Sequence, residues 1–283
     1  MKSELKQLAA CWLVVSPCVA AAAGFECLLE PWQMVEVRSS VDGMIATINV
    51  QRGDLIRRGQ PLVTLQSDVE KLALEAARYR VRMEGQLSAA RNRIDYATKK
   101  LARLTELQKD NFMSAQARDE AEAEKRLAES ELQAANEARE LARLEHLRLQ
   151  EALSLRTLTA PFNGVVVDRL LNPGDLAESG SGRKAVLKVA QIDPARADVA
   201  LPAALFGQVK TGAKVTLVAT VGGGRFAATV RSVDRVIDAA SSTFVARIEV
   251  PNAAGQVPAG SRCEALIDGV SPPAARQATI GKP

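Results

Sequence analysis

Four cysteines and one histidine limit the nucleophile and metal chemistry open to this 283-residue chain. Cys11 and Cys18 fall in an apolar N-terminal stretch, and Cys27 and Cys263 lie near opposite ends of the rest of the chain. Two cysteines without further ligands do not make a zinc site. Their chemistry is then a disulfide or a pair of unrelated buried thiols. His146 sits among Glu and Arg residues, as a solvated or seam-edge side chain would. Gly222-Gly223-Gly224 lacks the Lys-Ser that completes a phosphate loop and reads as a hairpin turn. Paired carboxylates are common between residues 69 and 154, but Lys and Arg interleave with them, as on a solvated helix face. The formal charge of +4 is mild, and aromatic residues are scarce at 4%. That argues against nucleic-acid binding, which needs a clustered basic face with stacking aromatics. The expectation is a non-enzymatic protein with no catalytic, cofactor-binding or metal residues.

The N-terminus narrows the compartment. Lys2 and Lys6 are followed by an apolar stretch broken at Pro17, and Ala20 to Ala23 supply small residues before Gly24. This is the pattern of a signal peptide over residues 1–23 with cleavage before Gly24. The alternative is a retained anchor, for which the apolar run is shorter than the roughly 20 residues that span a bilayer. Leu8-Ala9-Ala10-Cys11 resembles a lipidation box, but the apolar region follows it instead of preceding it. Cleavage would leave Cys27 and Cys263, and an even count in an oxidising compartment favours a bridge between them.

The elements are organised around a repeat. Asp42-Gly43, Gly53-Asp54-Leu55 and Gly59 recur as Asn163-Gly164, Gly174-Asp175-Leu176 and Gly180. The differences 164 − 43, 174 − 53 and 180 − 59 are all 121. Residues 34–68 and 155–190 both read as short strands punctuated by these six turn glycines, placed where tight turns ask for φ > 0. Each half is too small to close a core alone, so the two are expected to bury their apolar faces together.

Between the halves, residues 69–154 hold no proline and only Gly85, with strong helix formers throughout. Leu87, Ala90, Ile94, Ala97, Leu101 and Leu104 alternate steps of three and four, a heptad seam. Ala121, Ala128, Ala135, Ala142 and Leu149 recur every seven, and Leu127, Ala134 and Leu141 form a stripe beside them that is expected to supply knobs. The halves must meet, so the helix must fold back. Asp110-Asn111-Phe112-Met113-Ser114 is the expected reversal, with Ser114 as N-cap of the returning arm. Arms of about 40 residues would reach roughly 60 Å.

Residues 191–270 alternate again, as in Ala197 to Leu201 and Phe244 to Val250, and suggest a small antiparallel barrel. A bridge between Cys27 and Cys263 needs Cα atoms within about 7 Å, so residues 24–33 are expected to run alongside that barrel. Residues 271–283 read as a flexible tail. The fold class is α+β and elongated.

This order is similar to that of the periplasmic adaptor, or membrane fusion, proteins of the HlyD and RND-efflux type. Ser39 to Gly43 with Gly53-Asp54, and Ala160-Pro161-Phe162-Asn163-Gly164 with Pro173-Gly174-Asp175, resemble the family's two lipoyl half-motifs. Val250-Pro251-Asn252 with Pro258-Ala259-Gly260 resembles the end of its barrel. The resemblance implies a split lipoyl-like domain, an inserted antiparallel coiled-coil hairpin with its tip near 109–114, and a β-barrel. Longer members add a membrane-proximal domain, which is not expected here. Arg103, Leu107 and Ser114 fit the spacing with which such adaptors dock outer-membrane channels of the TolC type.

The implied role is a periplasmic subunit of a tripartite efflux or secretion system, in contact with an inner-membrane transporter of the RND or ABC type. It would form a homo-oligomer, expected to be a hexamer, with inner-membrane association left open. An envelope adaptor that does not dock such a channel would share the fold. A lipoyl or biotinyl carrier is the third reading. Carriers modify a lysine at the turn between their halves, whereas Lys71 in Asp68-Val69-Glu70-Lys71-Leu72 lacks the flanking pattern and reads as a helix-start surface residue, so no cofactor is expected.

Overall fold

The structure, a computed structural model, describes residues 24–110, 112–180, 182–221, 223–253 and 255–271. The proposed signal peptide, Asn111, Gly222 and the tail from 272 lie outside the described residues. The chain forms two compact units, one of residues 34–190 and one of the described residues up to Gln33 with those from Gln191 onward. In chain order the strands and helices are β1 (Phe25–Val37), β2 (Gly43–Ile48), β3 (Leu55–Ile56), β4 (Pro61–Leu65), α1 (Asp68–Arg82), α2 (Gly85–Lys109) and α3 (Ala115–Ser154). After these come β5 (Thr157–Thr159), β6 (Gly164–Arg169), β7 (Leu176–Ala177), β8 (Leu187–Pro202), β9 (Lys214–Ala219), β10 (Arg225–Val233), β11 (Thr243–Val250) and β12 (Arg262–Ile267).

In residues 34–190 the sequence repeat becomes an exchange of strands. β2 of the first copy pairs with β7 of the second, Gly43 opposite Ala177 and Met44 opposite Leu176. β6 of the second copy pairs with β3 of the first, Gly164 opposite Ile56 and Val165 opposite Leu55. Shifting the first-copy numbers forward by 121 and the second-copy numbers back by 121 turns one set into the other. The amides of Ile45 and Gly174 bond the carbonyls of Asp175 and Ile45, each at 2.9 Å. Their counterparts Val166 and Gly53 bond Asp54 and Val166 at 3.0 and 2.8 Å. Each half therefore satisfies backbone groups of the other, groups that would be costly to bury unpaired. The core is shared in the same way: Ile45, Ile56, Leu62 and Leu65 pack with Val166, Ala177, Leu187 and Val189.

The helices between β4 and β5 form an antiparallel hairpin. Ala97, Ala121 and Ala128 are buried where the arms meet. Lys100–Glu124 at 2.7 Å and Arg93–Glu131 at 3.3 Å bridge the arms one heptad apart, which fixes the register. Two features differ from the sequence expectation. Leu127 and Leu141 are exposed instead of serving as knobs, because a two-helix hairpin has only one seam and α1 and α2 cover the alanine side of α3. The outgoing arm is also broken. α1 ends at Arg82, Met83 is extended (φ −69°, ψ 114°), and α2 restarts at Gly85. The inward-facing positions Val81 and Leu87 are six residues apart where a heptad would place seven. Each residue turns an α-helix by about 100°, so an unbroken helix would rotate its seam off the partner. One extended residue beside a glycine of low helix propensity absorbs that slip.

The other unit is a closed antiparallel barrel of six strands in the order β1-β12-β9-β10-β11-β8, with β8 pairing back to β1. Period-two burial fills it: Ala195, Ala197, Val199 and Leu201 on β8 face Phe244, Ala246, Ile248 and Val250 on β11. Closure leaves no barrel edge to aggregate. Residues 25–33 do not merely run beside the barrel, because β1 is one of its staves. Cys27 and Cys263 are direct partners across β1 and β12 and form a disulfide with Cα atoms 4.9 Å apart. Asn252 is buried and ties the end of the barrel together. Its Nδ2 donates to the carbonyls of Ile192 and Val257, its Oδ1 accepts the Val257 amide, and its own amide donates to Asp193.

The bridge joins residues 236 apart in sequence and ties the first stave to the last. Titration of the denatured, unreduced chain from Gly24 onward is expected to find no free thiol. Replacing Cys27 and Cys263 together by serine should lower the unfolding free energy of the barrel by about 2–4 kcal/mol in urea titrations.

Candidate functional site

The hairpin tip is built by two helix ends. At the end of α2, the Phe112 amide bonds the Leu107 carbonyl at 2.9 Å and the Asp110 amide reaches Glu106 at 3.3 Å. The first is the six-to-one bond of a Schellman end. Ser114 is extended (φ −74°, ψ 151°), and its Oγ accepts the Ala117 amide at 3.4 Å, capping α3. These bonds satisfy part of the backbone at the reversal, whereas the apolar side chains point outward. Phe112 is 77% exposed, Leu107 42% and Met113 40%. The structure draws Phe112 to Leu107 through the backbone. It holds Arg103 apart from them, with Nε donating to Lys99 O one turn toward the root at 3.3 Å. Among the described residues no hydrogen bond joins Arg103, Leu107 and Ser114. Sequence reasoning used Phe112 and Met113 only as turn residues. Two large apolar residues in a turn flanked by helix ends were the available signal that they face outward.

At the root, Arg156 follows α3 and reaches both the β unit and the outgoing arm. Its Nη1 donates to the Asp42 carbonyl at 2.7 Å, and its Nη2 pairs with Glu70 on α1. A Cβ on Gly43 would sit 2.6 Å from that Nη1. Gly43 therefore leaves room for the guanidinium and does not serve a left-handed turn. Gly53, Gly59, Gly174 and Gly180 do have positive φ, between 80° and 105°. Gly43 and Gly164 do not and instead begin β2 and β6. Lys71 lies in the first turn of α1, exposed, 3.5 Å from Asp68. His146 is half-buried on α3.

The repeat also supplies two matched latches. Asn163 Oδ1 accepts the Arg58 amide at 2.8 Å, and Asp42 Oδ1 accepts the Ser179 amide at 2.6 Å. Asp42 also takes the Ser179 hydroxyl at 2.8 Å. The hydrogen bonds from the Ser179 amide and then its hydroxyl, with Arg183 nearby, hold the Asp42 carboxyl below its ordinary range. Among the described residues there is no cluster of three or more His, Cys, Asp or Glu able to hold a metal. No described helix is long and apolar enough to cross a membrane.

A helical hairpin grows from two interlocked β halves, and a six-stranded barrel follows in the chain. Residues 33–191 match the family described as "CzcB-like, barrel-sandwich hybrid domain", and residues 197–269 match "CusB-like, beta-barrel domain". The chain belongs to the membrane fusion, or periplasmic adaptor, protein family. Over 146 residues it is 31% identical to "Multidrug resistance protein MdtA" of Cronobacter turicensis, a match covering 52% of this chain and 32% of that protein. The chain thus spans about a third of that relative's length. Its fold is similar to that of MacA from Actinobacillus actinomycetemcomitans, with a TM-score of 0.72 and 22% identity over 87% of this chain and 78% of that one. It is also similar to the membrane fusion protein Spr0693 from Streptococcus pneumoniae R6, with a TM-score of 0.60 and 16% identity over 87% and 98%.

Two variants test the root. Arg156→Ala should destabilise residues 34–190 by about 1 kcal/mol, the worth of hydrogen bonds to partners that are only partly shielded from water, and Arg156→Lys should not restore it, since a compact ammonium lacks the two spaced nitrogens that reach both acceptors. Asp42 has a depressed folded pKa, so its stabilisation is present above the unfolded carboxylate value and is lost as pH falls through the folded one. Asp42→Asn copies the Asn163 latch without the charge. Its urea midpoint should fall less between pH 7 and pH 3 than that of the parent chain.

Proposed function

We propose that this chain is the periplasmic adaptor subunit of a tripartite efflux or secretion assembly, linking an inner-membrane transporter of the RND or ABC type to an outer-membrane channel of the TolC type. The observation that carries the reading is the tip, where Leu107, Phe112 and Met113 are exposed at the far end of a hairpin about 60 Å long. Exposed apolar groups at such a place are a contact surface in search of a partner. In this reading the hairpin is a coiled coil, the interlocked halves are a lipoyl-like domain that has given up its prosthetic lysine, and residues 1–23 are a cleaved signal peptide that delivers the protein to the periplasm. Several copies, a hexamer by family resemblance, stand side by side, and the transporter supplies the export energy. Catalysis has no part in the role. The sequence likeness to a multidrug resistance protein supports efflux as the process served.

A photo-crosslinking residue at position 107 or 112 should yield an adduct with the outer-membrane channel in cells. Leu107→Ala and Phe112→Ala should each weaken channel binding on the order of tenfold, as apolar anchors do, and Arg103→Ala should weaken it less. Adducts confined to positions far from the tip, with export intact in all three variants, would instead indicate an adaptor that does not dock such a channel.

A further inference from the structure

The strand exchange in residues 34–190 creates two surface patches related by the repeat. One is centred on the β3–β6 pair Leu55 and Val165, and the other on the β2–β7 pair Leu176 and Met44. Direct cross-strand partners share a face. Leu55 is 75% exposed and Leu176 54%, and Met44 is also exposed. Both patches are thus apolar at the centre. Their rims differ. The first patch carries Arg52, Arg57 and Arg58 with Asp54 and Asn163, and the second carries Pro173, Glu178 and Ser179 with Asp175 and Asp42 at the equivalent positions. The latches draw these rims together, Asn163 with Arg58 and Asp42 with Ser179. The balance is net positive on the first patch and net negative on the second. Arg183, 3.1 Å from Glu178, offsets only part of the latter. Among the described residues no ion pair neutralises Arg52, Arg57 or Arg58. The repeat thus keeps the apolar centre and inverts the charge around it.

We propose that the Leu55 patch of one copy docks on the Leu176 patch of the next copy of this chain, with Arg57 facing Glu178 across the contact. Charge complementarity selects this pairing, because like-on-like contact would oppose equal charges. Such a contact is head-to-tail, leaves one patch free at each end, and builds a closed ring or a filament in place of a two-fold dimer. The proposal rests on the reading of the chain as a subunit of a homo-oligomer. It makes no use of the hairpin tip.

The test uses the exported chain, from Gly24 onward, with the Cys27–Cys263 bridge intact. Leu55→Cys and Leu176→Cys are prepared as separate single variants at exposed positions, and each is treated with a short bismaleimide. A covalent dimer is expected in the mixture of the two and not in either alone. Arg57→Glu on the Leu55→Cys chain should cut the yield about tenfold or more at low salt, and Glu178→Arg on the partner should restore it. Dimers in a single-variant sample, or failure of the charge swap to restore the yield, overturn the proposal. Sedimentation velocity separates the remaining outcomes. Assembly without crosslinks overturns this contact and leaves the oligomer reading standing, and absence of assembly overturns both.

Discussion

The exchange of hydrogen-bond partners between the two β halves is the constraint on which the rest of residues 34–190 depends. Ile45 and Gly174 bond across the halves, and so do Val166 and Gly53. Neither half can bury its backbone without the other. That requirement brings β4 and β5 together as neighbours, Val63 opposite Leu158. Whatever is inserted between them must leave and return at one place. A hairpin satisfies this at any length, because its two ends are always adjacent. The reach of the helices is thereby decoupled from the stability of their base. The remaining demand is orientation, and Arg156 meets it by gripping the Asp42 carbonyl and Glu70 at once.

Much of this was legible because it is written twice. A spacing of 121 shared by three glycines is hard to produce except by two equivalent turns. It pointed to two halves burying their apolar faces together, while the exchange of strands between them is a feature of the structure. The alternating runs of the barrel were equally plain, since a strand with one buried face repeats every two residues. Ser114 was readable as a cap because a hydroxyl in front of an alanine-rich helix has few other uses there. Cys27 and Cys263 could be paired by elimination, but that β1 is itself a stave was hidden: barrel closure is a long-range fact that no local window contains.

The misread features share a cause. Gly43 and Gly53 look alike in sequence, yet one makes room for a guanidinium and the other adopts φ 93°. Composition cannot separate absence of a side chain from freedom of the backbone. Leu127 and Leu141 sit at heptad spacing and were expected to pack, but spacing gives the phase of a stripe and not whether anything covers it. The break at Met83 was missed for a complementary reason. Its signal is a single missing residue between Val81 and Leu87, visible only when both seam positions are already known.

The tip shows how capping can determine what kind of contact a surface makes. Ending one helix and starting the next would normally leave as many as eight orphan backbone groups. Here the Phe112 and Asp110 amides and the Ser114 hydroxyl are spent on closing the turn. The large apolar side chains left exposed there are Leu107, Phe112 and Met113, with Arg103 folded back toward Lys99. A partner recognised there gains mainly from apolar burial, which is roughly proportional to area and tolerant of direction. Hydrogen-bonded recognition would demand a fixed geometry at the end of a long lever, where small rotations at the root are magnified. Apolar contact tolerates that motion, so in the proposed role the same caps that hold the turn together would suit it to a partner whose position is set far away.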